Sequence, residues 1–515
     1  MATERMLFRG GLVADGIGSR TRPADVLIDG RSITAIGDID VAPESCEVID
    51  LAPGSVVCPG FIDAHAHAEG PLLEAGLVAG ALAQGVTTLV VGQDGESWIG
   101  ADPGTVRYLN RYFAPVNGIA DPAADLSVAG YGAAVVGRIA QNVAVLASQG
   151  TIRCNLAGLA PEPLDAGQRA AARAQLERAL ADGAVGLSSG LDYLPSRFGQ
   201  ADEIAEIARP LAAAGRPYVS HLRDYGSGAT AALAELAAVG DGASVRVHAS
   251  HLWGRPADLA AAFGAAEARG VAVSFDMYPY RMASTILADL LLPAGLQSGG
   301  PDATLAALRD PARRADLLAG ERFSAAALDR VFLGCLPERF AGYAGLSITA
   351  AAAGAGRSPG EWVLDLLVSA DLNVGGHLDR PELDQRDLMA IIDDDRFCAG
   401  SDGIYQGQHP HPRGYGAFAE LAGHYLIDGP ETGYQRVARH LAAAPAAAYG
   451  LRDRGRLAPG LAADICVLGA GGPVARASYE RPSELAAGVD LVIVNGGVVW
   501  RDGRSTGARP GRLVS

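Results

Sequence analysis

The stretch Pro59-Gly60-Phe61-Ile62-Asp63-Ala64-His65-Ala66-His67 runs a short apolar strand into two histidines one residue apart. Side chains at i and i+2 of an extended segment share a face, so both imidazoles can turn towards a single metal ion. Alone, the pair also reads as two surface histidines in a polar loop. Three later stretches argue against that: Tyr218-Val219-Ser220-His221, Val247-His248-Ala249-Ser250-His251 and Phe397-Cys398-Ala399-Gly400-Ser401-Asp402 each end an apolar run in a ligand-type residue. His248, an odd number of residues before His251, is expected to face the other way and serve structure.

Around these strand ends, β-branched runs such as Thr87 to Val91 and Val185 to Ser188 alternate with Ala/Leu/Glu/Arg-rich helical stretches such as Ala170 to Ala181. That rhythm is the signature of parallel strands with crossover helices. A doubly wound sheet would carry a glycine-rich phosphate loop after its first strand, and none is present, so the reading is an α/β protein with a (β/α)8 TIM-like barrel over residues 56–450. In such a barrel all strand C-termini converge on one mouth, which predicts that His65, His67, His221, His251 and Asp402 meet there. Alternating segments broken by glycine turns occupy both ends, Asp25-Val26-Leu27-Ile28 and Ser32 to Ile36 at one and Ala463 to Leu468 and Leu491 to Val499 at the other. Residues 1–55 and 451–515 are therefore expected to join in one small β-sandwich domain. Residues 281–345 interrupt the barrel rhythm with Pro293, Gly299, Gly300 and Pro301, and read as an insertion forming a lid over the mouth.

The net charge is −16 over 515 residues, from 42 basic and 58 acidic side chains, which argues against nucleic acid as a partner because a phosphate backbone wants a basic face. All 42 basic residues are arginine. The absence of lysine removes Schiff-base lysines, phosphate-loop lysines and carboxylated-lysine metal bridges together. The six cysteines form no Cys-x-x-Cys pair and read as reduced, mostly buried thiols. Met1 to Gly10 carries Glu4, Arg5 and Arg9 rather than an apolar signal core, and no stretch stays apolar for about 20 residues, so a cytoplasmic protein without a membrane partner is expected.

The His65/His67 motif, the lone strand-end histidines and the Ser401-Asp402-Gly403 turn resemble the amidohydrolase superfamily. More narrowly, Asp402 to Arg413 with His409-Pro410-His411-Pro412-Arg413, together with Leu187 to Tyr193, Asp276-Met277-Tyr278-Pro279-Tyr280 and Val494 to Gly503, looks like the N-acyl-D-amino-acid deacylases. The matching segments occur in order over nearly the whole chain.

That resemblance implies a zinc site of one or two ions per chain, with His65 and His67 at one position, His221 and His251 at the other, and a bridging ligand between them. The family's usual bridge is a cysteine in an Asn-Cys-Gly turn; here Val90-Val91-Gly92-Gln93-Asp94-Gly95 puts Asp94 in its place. A carboxylate offers two hard anionic oxygens and is a competent bridge. The implied reaction is hydrolysis of the amide bond of a small N-acyl-D-amino acid by metal-activated water, with Asp402 as a metal-side general base that returns the proton to the leaving amine. By the same comparison Arg413 takes the substrate carboxylate, while Tyr278 and Ser284 hydrogen-bond the carboxylate or the oxyanion, with Tyr280 competing for that part. His409, His411 and His424 are read as shaping their loop. The residues after His251, Leu252-Trp253-Gly254, bring no adjacent cation, although Arg255 is close; this points to an apolar or aromatic D-side chain rather than D-Glu or D-Asp.

The rivals on the same scaffold are a cyclic-amide hydrolase of the hydantoinase or dihydroorotase kind, a dipeptidase, a deaminase and a silent binding protein. The first normally bridges its metals through a carboxylated lysine, which this chain cannot supply. The deaminase lacks support from the Tyr278 and His409 to Arg413 segments, and the silent protein would be expected to have lost ligands.

Overall fold

The computed structural model describes residues 5–41, 46–427 and 429–515; residues 1–4 and 42–45 of the expected N-terminal unit, and residue 428, lie outside the described residues. The chain's β-branched runs are buried on both faces, as strands between helices must be: all six residues of Val86–Val91 are buried. Eight such segments follow one another in parallel: Phe61–Asp63, Val86–Val91, Asn142–Val145 continuing as Ala147–Ser148, Leu187–Gly190, Tyr218–His221, Val247–Ala249, Val273–Met277 and Phe397–Ala399. The ring closes where Ala64 N–H donates to Ala399 O at 3.0 Å and Asp402 N–H to His65 O at 2.8 Å. The expected barrel is therefore the observed one.

Helices fill the crossovers. Ala166–Ala181 starts on a capping box in which Asp165 and Gln168 satisfy each other's backbone N–H, and Ala229–Ala243 buries Leu233 and Leu236 towards the barrel. Ile62, Val90, Ala144, Leu146, Val219 and Cys398 cluster with Tyr449, whose hydroxyl donates to Ala64 O at 2.7 Å.

Both chain ends build one β unit. Arg504–Ser505, Gly497–Arg501, Val489–Val494, Ile465–Leu468, Val56–Pro59, Leu12–Val13 and Arg22–Pro23 form one sheet in that order. It packs on the sheet of Ser32–Gly37, Asp25–Asp29, Arg5–Arg9 and Glu47–Asp50 through Phe8, Val26, Ile28, Val57, Ile465 and Ile493. The terminal β-sandwich read from the sequence is thus present, and Val56–Pro59 belongs to its sheet before Gly60 leads into the barrel.

Between the seventh and eighth barrel strands the chain makes a long excursion. Ala283–Ile286, Gly375–Leu378 and Val331–Cys335 form an antiparallel sheet with the middle strand supplied from beyond residue 345. Residues of this excursion and of the barrel mouth line one cavity of about 660 Å³. Among the described residues no helix is long and apolar enough to cross a membrane.

Candidate metal centre and substrate cavity

Three of the residues that the sequence places at the mouth occupy backbone conformations that side chains rarely adopt: Asp94 has φ 56°, His251 φ 34° and Asp402 φ 48°. Strain of this kind persists where surrounding structure holds it. Asp94 sits between Gly92 and Gly95, and a Cβ at Gly92 would come 2.3 Å from Leu146 O while one at Gly95 would come 2.8 Å from Gly190 N. The two glycines therefore let the loop after the second strand lie against the third and fourth strands, which aims Asp94 across the mouth. At Asp402, the carboxylate of Asp63 accepts from Ser401 N at 2.8 Å and from His65 N at 3.2 Å, tying the first and eighth strand ends together.

The sequence-read ligands converge. Nε2 of His65 and Nε2 of His67 each lie 3.5 Å from Asp94, on Oδ1 and Oδ2 respectively. Asp402 Oδ1 is 3.3 Å from His67 Nε2 and 3.7 Å from His65 Nε2. On the other side of Asp94, His221 Nδ1 is 3.8 Å from Oδ2 and His251 Nε2 3.9 Å from Oδ1. Ligand atoms of His65, His67, Asp94 and Asp402 all fall within 4.8 Å of one another, and so do those of Asp94, His221 and His251. Asp94 is common to both groups.

These donors fit a divalent metal. Two ligands each about 2.1 Å from a tetrahedral ion stand about 3.4 Å apart, close to the separations here. His65 Nε2, Asp94 Oδ1 and His221 Nδ1 are buried without a hydrogen-bond partner among the described residues, a costly state unless a cation faces them. Charge agrees. Burial opposes ionisation of Asp94, but His65, His221 and His67 hold its carboxyl well below the usual range. Burial likewise opposes charge on His65 and His67, yet Asp94 and Asp276 raise the first well above the ordinary imidazole value, and Asp402 and Asp94 push the second up to about 9. Burial and the charge on His221 lower His251 to about 3. The carboxylates gather positive charge, as protons or as a metal.

A second layer, not singled out from the sequence, orients the histidines. Asp276 Oδ2 lies 3.4 Å from His65 Nδ1 and 2.9 Å from His248 Nε2, while Asp276 Oδ1 accepts from His251 N at 2.9 Å. His248 is thus turned away from the mouth, as its spacing predicted. Asn117 Oδ1 is 3.0 Å from His67 Nδ1. Asp276 was findable, because it lies one residue before the end of the seventh strand, Val273–Met277; Asn117 comes from a short helix, Ala114–Asn117, with no sequence signal.

Arg413 is completely buried, with Nη1 2.7 Å from Asp402 Oδ2, Nη2 donating to Ser284 O at 3.1 Å and its guanidinium 4.5 Å above the Tyr278 ring. Burial opposes the charge on Asp402, and Arg413 with His67 holds its carboxyl low. Tyr278, Ser284, Arg413, Asp402, Asp94, His67, His221 and His251 all line the cavity. Tyr280 is outside that lining among the described residues: its N–H turns back to Tyr278 O at 2.9 Å, and its ring packs edge-on against His411 and Tyr479. The tight turn sends the two tyrosines different ways. His411 Nδ1 accepts from Arg413 N at 3.0 Å and His409 Nε2 lies 2.8 Å from Tyr479 O, so both hold the loop, whereas His424 sits on the following helix Arg413–Leu426 beside Asp393.

The chain is similar along nearly its whole length to known proteins. Residues 372–500 match a family model described as Amidohydrolase family. Over 519 residues the chain is 32% identical to N-acyl-D-glutamate deacylase of Alcaligenes xylosoxydans xylosoxydans, covering 99% of this chain and 96% of that protein. It is 30% identical to D-aminoacylase of the same organism, covering 99% and 97%. Among solved structures, N-acyl-D-glutamate deacylase from Bordetella bronchiseptica, complexed with zinc and a phosphonate inhibitor that mimics the tetrahedral intermediate, superposes with TM-score 0.82 at 28% identity over 99% of each chain. The chain belongs to the amidohydrolase family and, within it, to the N-acyl-D-amino-acid deacylases.

Proposed function

We propose that this protein is a zinc-dependent deacylase that hydrolyses the amide bond of N-acyl-D-amino acids. The observation that carries the reading is Asp402 at the edge of a six-donor cluster, with one oxygen turned to the histidines and the other on a buried arginine. His65, His67, Asp94, His221, His251 and Asp402 would hold one or two zinc ions, with Asp94 as the shared ligand. Zinc, when bound, supplies the Lewis acid that polarises the amide carbonyl and acidifies water.

The protein's own groups do the rest. Asp402 takes a proton from the attacking water as its oxygen bonds to the acyl carbon, then delivers that proton to nitrogen as the C–N bond breaks. The products are a carboxylic acid and a free D-amino acid. Arg413 keeps Asp402 ionised and aimed. Its buried Nε has no partner among the described residues, so it retains a donor for the substrate carboxylate, with Tyr278 and Ser284 alongside. Six unpaired cysteines, four of them buried, support work in the reducing cytoplasm.

The test is a screen of N-acetyl and N-formyl D- and L-amino acids with zinc content measured on the same sample. The reading requires D-selective release of free amino acid and loss of activity on strong chelation. Full activity in metal-free protein would sink it.

A further inference from the structure

Arg380 lines the cavity with a relative exposure of 8%. Its Nε donates to Arg281 O at 2.8 Å and its Nη2 to the Tyr278 hydroxyl at 3.2 Å. Among the described residues no carboxylate stands within ion-pair distance of it, and Nη1 has no protein acceptor. A guanidinium is never deprotonated in proteins, so a buried one without an anion is an unbalanced charge.

Its surroundings are built. The guanidinium carbon lies 5.3 Å from the Trp253 ring and 6.0 Å from the Tyr278 ring. Arg413 stands 4.5 Å from that same Tyr278 ring. Two guanidiniums thus stand beside one aromatic ring, and both line the cavity. Several carboxylates of the outer cavity are engaged: Asp192 pairs with Arg197 at 3.1 Å, Glu382 with Arg330 at 3.2 Å, Asp384 caps the helix Gln385–Ile392 and Asp224 accepts from Tyr225 N at 2.7 Å, whereas Asp387 lines the cavity without an ion pair among the described residues. Among the described residues Asp289 has no ion-pair partner, but burial and the charge on Asp192 push its carboxyl up to about 7, which weakens its repulsion of an anion. In the sequence around Trp253 the nearby cation is Arg255, which pairs with Asp258 at 3.6 Å; the fold brings Arg380 to the Trp253 ring from more than a hundred residues away.

The geometry points to Arg380 as the receptor of a second carboxylate, so that the substrates are N-acyl derivatives of acidic D-amino acids, with the main-chain carboxylate on Arg413 and the side-chain carboxylate on Arg380. This rests on the deacylase reading above. Arg380 also donates to the oxygen of Tyr278, which leaves the tyrosine proton free to point at the substrate. A receptor of this kind discriminates strongly, because a neutral side chain leaves the guanidinium unpaired.

The experiment compares kcat/KM for N-acetyl-D-glutamate and N-acetyl-D-leucine in the zinc-loaded protein, in Arg380→Met and in Arg380→Lys, and measures N-acetyl-D-glutamate binding by calorimetry. The wild type should favour the acidic substrate. Arg380→Met should lower the acidic-to-neutral ratio by about 30-fold or more, the loss of a charged hydrogen bond, and Arg380→Lys should restore part of it. A wild type that favours the neutral substrate, or a ratio unchanged in Arg380→Met, overturns the inference while leaving the deacylase reading in place. If neither substrate is cleaved the deacylase reading falls, and calorimetry then decides: binding must weaken about tenfold in Arg380→Met, and equal binding rejects the receptor.

Discussion

Asp402 Oδ2 lies 2.7 Å from Arg413 Nη1, inside a pocket where the arginine is wholly buried. The contact leaves Oδ1 as the oxygen that faces His67 and His65, and it fixes the carboxylate in its charged form. Asp402→Asn keeps the shape and an oxygen for Arg413 but cannot take a proton. Turnover should fall by about 10²- to 10⁴-fold, the usual weight of general acid–base catalysis. Zinc content, measured by mass spectrometry, should stay near that of the wild type because five donors remain. Near-normal turnover would place the base elsewhere.

Arg413 has two separable effects. Arg413→Lys retains a positive charge but loses the planar fork, so KM for N-acyl-D-amino acids should rise about 10- to 100-fold. Arg413→Gln also removes the charge that lowers the Asp402 carboxyl. With that influence gone the folded-state pKa of Asp402 moves up, and the acid limb of the kcat/KM profile should shift to higher pH in the glutamine variant. An acid limb in the same place in both variants would detach Arg413 from the proton-transfer group.

How much of this was written in the sequence follows from what strands do. Ligands at strand ends were legible because a barrel delivers every strand end to one mouth: His65, His67, His221, His251 and Asp402 needed the register and nothing else. Asp94 was placed by comparison with a family motif, and the physical reason it reaches the histidines, a left-handed residue between two glycines with no room for a Cβ, is visible only in three dimensions. Tyr280 and Tyr278 share a motif, yet a turn between them separates their fates. Arg380 and Asn117 come from an excursion and a short helix whose positions depend on long-range packing, and no periodicity announces them.

Asp276 holds three partners at once, His65, His248 and the backbone N–H of His251. Such outer carboxylates fix ring orientation and raise ligand basicity. Asp276→Asn should reduce zinc affinity by about 10- to 100-fold, read by competition with a chromophoric chelator, without touching the substrate. Unchanged affinity would mean that the histidines are oriented by packing alone.

Asp94 is common to both donor groups. Asp94→Asn is the informative change, because asparagine tolerates the left-handed conformation nearly as well as aspartate and so isolates the loss of charge. If the carboxylate spans two positions, metal content should drop and the remaining ion should bind more weakly. Zinc stoichiometry equal to that of the wild type, at equal affinity, would reduce Asp94 to a turn residue.

Protons and metal compete for the same imidazoles, which gives the metal-free protein a distinctive pH response. Although burial disfavours charge, Asp402 and Asp94 push His67 up to about 9, and Asp94 with Asp276 raises His65 well above its ordinary value. A protonated imidazole cannot ligate, so zinc binding at pH 7 must expel protons and tighten as pH rises towards about 9. The same shift sets the sign for stability. An unfolded histidine titrates near 6.5, so between about 6.5 and 9 the folded form binds more protons than the unfolded one. This contribution is complete below about 6.5 and is lost as pH rises through about 9. The melting temperature of metal-free protein should therefore fall across that window relative to the zinc-loaded form, whose histidines no longer carry those protons. Scanning calorimetry at both ends of the window, with proton release measured by titration in two buffers of different ionisation enthalpy, tests both parts. Zinc binding at pH 7 without proton release, or a metal-free protein that gains stability over the window, would contradict the charge balance assigned to His65 and His67.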